Sequence, residues 1–337
     1  MQTLLGSDNP FVVYYDALQE GAWVRTLDPQ LRSASLVRIQ EEGRNPETID
    51  SLVAYDKPDI ILVHRNRPVL VIEKTSEVPS AHNCGQRFAR IARAAECGIP
   101  FIYFFPFVAQ KHGSETVERE RQQKTNQRYV NPRLFDASAR LEAIFDAVVI
   151  HVCWPVDTHY ELLTTPEKDT EIARVVRQVV EWSQSQGPIA RLRTMAAIRR
   201  ARLRAEREGQ ARKEASAKNR RLPPSVRIEE TSAMINRYRI TGAAISRLSA
   251  RRRSLVYTIG MRYVRSDPYA GMLIFYDYLC ARTGRTTQDR SMNLVASMPN
   301  IESAEWNQLS SENQGRKDIR LFRIFSDCIL LRDAVLT

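Results

Sequence analysis

The stretch from Pro58 to Glu77, PDIILVHRNRPVLVIEKTSE, constrains the fold of this chain more than any other. Asp59 heads an apolar run, Ile60 to Val63. The polar residues His64 to Pro68 follow, and a second apolar run, Val69 to Ile72, delivers Glu73. Two runs of strand length around a polar turn predict a β-hairpin. An antiparallel return brings the two ends of such a pair together, so Asp59 and Glu73 should meet in space. Two carboxylates at one end of a sheet suit a hard divalent cation, which prefers oxygen ligands.

The flanking sequence extends the pattern. Asp28-Pro29 offers a cap and a first-turn proline, which predicts a helix running to Glu42. After the hairpin, NCGQRFARIARAAECGIPFIYFFP predicts a helix from Gln86 to Cys97, closed by Gly98, and then a strand from Ile99 to Phe105. Arg133 to Asp146 has helical apolar spacing, and Val148 to Trp154 has the composition of a buried strand. Alternating strands and helices predict an α/β domain over residues 1–165, a mixed sheet flanked by helices.

Pro58-Asp59, the hairpin spacer and Glu73, followed by a helix and a strand, resemble the PD-(D/E)XK nuclease superfamily, which includes restriction endonucleases and resolvases. The resemblance implies a restriction-endonuclease-like fold. It also implies Mg²⁺, with Mn²⁺ as the alternative, held by Asp59 and Glu73. It further implies an additional glutamate from the preceding helix, Glu41 or Glu42, and a Gln or Arg near the scissile phosphate. Gln86 and Arg90 share a helical face for that last role, with Arg87 as a substitute. The lysine position departs from the family, because Glu73 is followed by Lys74 and then Thr75. Strand alternation puts Thr75, not Lys74, on the face of Glu73. Three explanations stand: the motif has drifted to Glu-x-Thr, a bulge turns Lys74 inward, or the site has lost its activity.

Charge is distributed unevenly. The 337-residue chain carries a formal +11, yet Gln186 to Arg265 alone holds 21 Lys and Arg against 5 acids, a local +16. Such a segment favours a polyanionic partner. Residues 166–224 read as a basic helical linker, with Arg200 and Arg204 available to phosphates. Residues 225–337 read as a mostly α-helical basic module. Within it, residues 231–253 have a helix-turn-helix-like pattern, with Ile245 and Leu248 inward and Ser246, Arg247, Arg251 and Arg252 outward. Asp267-Pro268 should start a further helix, and Lys317 to Leu336 should form the last one.

Five scattered cysteines without a CxxC spacing argue against a zinc site or a disulfide framework. No apolar run reaches membrane-spanning length, and no signal-peptide pattern opens the chain. A soluble, cytoplasmic protein with no membrane partner is expected. No Walker-type loop, GxSxG or HExxH is present, so an ATPase, a serine hydrolase or a zinc protease has no support. The expected function is a Mg²⁺-dependent DNA endonuclease of the restriction or defence type, acting on double-stranded DNA and paired as a homodimer. The alternatives are a catalytically inactive DNA-binding regulator on the same fold, or an RNA-binding structural protein of a mobile element.

Overall fold

A computed structural model describes residues 9–79, 82–110, 127–185, 187–214, 225–258, 291–312, 319–320 and 322–337. The chain divides into two compact units. The first holds most of the residues up to 210. The second holds most of the remainder, together with the short stretches 81–89 and 136–144.

The first unit is built on a six-stranded mixed sheet. Its strands are β1 (Phe11–Tyr15), β2 (Ser35–Arg38), β3 (Ile60–His64), β4 (Arg67–Lys74), β5 (Phe101–Pro106) and β8 (Val149–Trp154), in the spatial order β2-β1-β3-β4-β5-β8. A separate pair, β6 (Val108–Gln110) and β7 (Gln127–Tyr129), forms a two-stranded ribbon. The hairpin β3–β4 turns on Arg65 and Asn66, both with positive φ (47° and 64°). Two such residues in a two-residue loop give the twist that closes a tight hairpin. β4, β5 and β8 then run parallel. The helix α3 (His82–Glu96) supplies the crossover from β4 to β5.

Helices cover the sheet. α1 (Leu18–Leu27) and α5 (Thr170–Ser185) bury Val24, Leu27, Ile172, Val175, Val176 and Val179 in one core with Phe11, Leu62, Ile72 and Phe104. Leu192 and Ala196, at the start of the long basic helix α6 (Ala190–Glu214), join the same core. That core therefore draws on residues well beyond Thr165. α2 (Glu47–Val53) buries Ile49, Leu52 and Val53, and α4 (Arg133–Phe145) leads into β8. The helix expected from Asp28 to Glu42 is not formed. Asp28 does cap, accepting the Gln30 N–H at 2.8 Å, but only a 3-10 turn over Pro29–Leu31 follows. The chain then goes extended, because Ser35 to Arg38 pairs in parallel with Val12 to Tyr15.

The second unit departs further from expectation. Its described residues are organised on a five-stranded mixed sheet rather than on helices alone. The strands are β9 (Ser225–Glu230), β10 (Arg253–Thr258), β11 (Met292–Met298), β12 (Cys328–Leu331) and β13 (Val335–Leu336), in the order β13-β12-β11-β10-β9. The final helix expected over Lys317 to Leu336 gives way at its C-terminal end to β12 and β13. Short apolar runs such as Cys328 to Leu331 suit a strand or a helix equally in isolation, and pairing decides between them. α7 (Thr231–Arg237), α8 (Ala243–Ser249) and α9 (Ser303–Ser311) belong to the same unit, and residues 319–320 and 322–325 are also helical. The expected helix after Asp267 lies outside the described residues.

Candidate active site: three carboxylates on one arginine

Asp59 immediately precedes β3 and Glu73 is the penultimate residue of β4, so the hairpin brings them to one end of the sheet. Both meet Arg90 of α3. Its Nη1 donates to Asp59 Oδ1 at 3.2 Å and to the Glu73 carboxylate at 2.5 Å, while its Nε donates to Asp56 Oδ2 at 2.8 Å. The second oxygen of Asp59 accepts the backbone N–H of Lys74 at 2.6 Å. The cluster is largely out of water, with side-chain exposure of 1% for Glu73, 9% for Asp56 and 14% for Asp59.

Three acids share Arg90, and the crowding of negative charge shows in Asp59. Burial, and then the neighbouring Glu73 charge, push its carboxyl up to about 8. For Arg90, burial opposes the charge, but Glu73, Asp56 and Asp59 outweigh it and hold the guanidinium above its ordinary value. α3 is fixed against α2 and the segment after it: Tyr55 donates to Glu96 at 2.7 Å, and Arg93 Nε donates to the Ser51 carbonyl.

A further acid comes from α1. Burial raises the carboxyl of Glu20, against the positive charge of Lys74; the charge of Glu73 acts on Glu20, and that of Glu20 acts on Asp59. α1 sits close because Gly21 faces Tyr15, where a Cβ would stand 2.9 Å from the ring. Glu41 and Glu42 are elsewhere. Glu41 is 76% exposed and pairs with Lys57 at 2.5 Å, and Glu42 is exposed. The failure of the Asp28 to Glu42 helix removes the element that would have carried them in.

Lys74 points to the opposite face from Glu73. Its Nζ lies 4.5 Å from the ring centre of Trp23 and 5.3 Å from that of Trp154, and burial lowers its pKa. The pairing of Glu73 with Tyr103 and of Lys74 with Phe104 is continuous, and the register shift of the hairpin falls at Leu62/Val63. A bulge that turns Lys74 inward is therefore excluded. The Thr75 hydroxyl, 5% exposed, accepts the Glu77 N–H at 3.0 Å and so closes the turn after β4. Gln86 lies on α3, but its side chain is outside the described residues.

Of the expected nucleic-acid contacts, Arg247 is exposed, and Arg252, 87% exposed, reaches Glu230 at 3.2 Å. Arg251 turns inward, 15% exposed, to Asp327 at 3.4 Å and Asn293 at 3.2 Å. Ile245 is 39% exposed, so Ala244 and Leu248 form the inner face of α8 instead. On α6, Arg204 is exposed and pairs with Glu208 at 3.1 Å, and Arg200 is half-buried.

Sequence reasoning missed Asp56 and Glu20. Asp56 had a local signal, an acid three residues before Asp59, whereas Glu20 is brought in only by the packing of α1. Among the described residues no group of three or more His, Cys, Asp or Glu side chains forms a metal-binding cluster, and no helix is long and apolar enough to cross a membrane. In comparisons with known proteins, no family model, no curated protein and no solved structure matches the chain.

Proposed function

We propose that the first unit is a Mg²⁺-dependent DNA endonuclease of the restriction or defence kind, related in plan to the PD-(D/E)XK enzymes. The observation that carries this reading is the meeting of Asp59, 14% exposed, and Glu73, 1% exposed, at one end of the sheet, where both share Arg90 with Asp56. An oxygen-only donor pair fits a hard divalent cation. The order of hairpin, α3 and parallel β5 supports the same reading. Asp59 and Glu73 would hold the metal, with Glu20 beside them, and the bound metal would polarise a phosphate and lower the pKa of water. Asp59, with its carboxyl near 8, gives up a proton on binding, so metal affinity rises with pH up to that value. With Lys74 packed on Trp23 and Trp154, Arg90 is a cation in direct contact with both carboxylates. Paired cutting of a duplex would call for a two-fold dimer.

Supercoiled plasmid, incubated with Mg²⁺, Mn²⁺, Ca²⁺ or EDTA, tests the reading with wild type beside Asp59→Ala and Glu73→Ala. Cutting that needs Mg²⁺ or Mn²⁺ and disappears in both variants is the expected result. A second reading, a DNA-binding regulator without catalysis, draws on the closed ion-pair cluster around Arg90 and the departed lysine. Under it, wild type and Glu73→Ala bind DNA alike, and neither cuts with any metal.

A further inference from the structure

The basic helix α6 does more than carry charge. Between it, the end of β8 and the start of α5 lies a cavity of about 890 Å³, within the size range of ligand sites. Arg191, Met195, Ile198, Arg202 and Glu206 recur every three or four residues, so a single face of α6 lines it along four turns. Phe107 and Leu203 add to the apolar lining. Ile198 is 65% exposed, an apolar side chain left in the open on a strongly charged helix.

The charges of this lining are not all spoken for. Arg174 and Arg199 both hold Glu171, the first at 3.0 Å. Arg191 and Arg202 make no ion pair among the described residues, and the four arginines outnumber the two glutamates, Glu171 and Glu206, by two. Eleven residues of helix separate Arg191 from Arg202, about 16 Å along the axis. A single phosphate cannot reach both. A polyanion can.

We infer that this face of α6 is a binding groove for single-stranded nucleic acid, with Arg191 and Arg202 on separate phosphates and Met195, Ile198 and Leu203 against the bases between them. A duplex offers phosphates outside and keeps its bases stacked within, so it has no use for apolar residues between the arginines. Unpaired bases do, and grooves that combine positive charge with aromatic stacking surfaces hold such strands, a role open here to Phe107. The groove also lies near the carboxylate cluster. Glu73, Tyr103 and His151 pair in one row across β4, β5 and β8, and His151 lines the cavity, two strand spacings or about 10 Å from Glu73. The inference rests on the nuclease reading only for what happens to the strand once bound. It names the substrate as DNA with an unpaired stretch beside the cut.

Fluorescence anisotropy in EDTA tests binding without cleavage, so a chain that never cuts can still pass. The probes are a labelled oligothymidylate of about twelve nucleotides and a duplex of equal length. Wild type should prefer the single strand at equal salt. Arg191→Ala with Arg202→Ala should weaken it about tenfold and flatten the salt dependence by about 1.4 in log–log slope, about 0.7 for each lost phosphate. Ile198→Asp should weaken it as well, while Arg44→Ala, outside the groove, should leave it unchanged. These side chains are exposed, so the variants fold. Preference for the duplex, or a double variant that binds like Arg44→Ala, would overturn the inference.

Discussion

Each unit buries an aspartate against an arginine at a mixed sheet, and the two clusters differ in balance. In the second unit, Asp327 accepts the Leu294 N–H at 2.8 Å and meets Arg251 at 3.4 Å. Around them Asn293, fully buried, donates to the Leu248 carbonyl at 2.8 Å and to Thr231 and Ser254 at 3.2 Å each. Asp327 meets Arg251 directly, and the neutral side chains Asn293, Thr231 and Ser254 satisfy one another. In the first unit three carboxylates share Arg90, and Asp59 is pushed up to about 8. A balanced network fixes a structure. An unbalanced one stores an affinity for positive charge, and perturbed groups of that sort concentrate at functional sites.

The largest expected effect comes from removing the shared base. Arg90→Met takes from three largely buried carboxylates the cation they share, at a cost of about 3–5 kcal/mol for breaking a buried pair. Because these carboxyls can take up protons, that cost should shrink as pH falls from 7 to 5. Urea unfolding followed by tryptophan fluorescence measures it, since Trp23, Trp154 and Trp182 all lie in the first unit. A cost that is the same at both pH values would break the contrast between the clusters. Asn293→Ala makes the opposite test. It strips hydrogen bonds from Thr231, Ser254 and the Leu248 carbonyl, which costs about 2 kcal/mol for buried groups left unpaired. That loss should not change between pH 5 and 8, because the side chain removed carries no charge. Trp306 reports it from within the second unit.

The same contrast explains what could be read from the sequence. Asp59 and Glu73 were legible because a hairpin is local: two apolar runs and a turn determine which residues meet. Arg90 was legible from the helix that follows. Glu20 was not, since nothing in its own neighbourhood distinguishes it from a solvated acid, and only the close seat of Gly21 on Tyr15 brings α1 to the cluster. The Asp28-Pro29 cap was read correctly and extended too far, because the parallel pairing of β2 with β1 overrode the helical pattern. The second sheet was missed for the same reason at larger scale. Leu255 to Tyr257, Leu294 to Ala296 and Cys328 to Leu331 are short runs whose partners lie tens of residues away.

The pH dependence of stability is the most direct measure of the imbalance. An ordinary aspartate titrates near 3.8, whereas Asp59 in the folded protein titrates near 8. Between those values the folded state holds a proton that the unfolded state has released. The stability this group contributes is therefore whole below the lower value and is lost as pH climbs towards the upper one. One proton sets a ceiling of about 1.4 kcal/mol per pH unit on that slope. Asp59→Asn cannot titrate, so its unfolding free energy should depend less on pH than that of wild type, and the two curves should converge or cross as pH rises from 4 to 8. If wild type and Asp59→Asn gave parallel curves across this window, Asp59 would be ionised like any paired carboxylate. The first cluster would then be as balanced as the second, and its claim on a divalent cation would go with the difference.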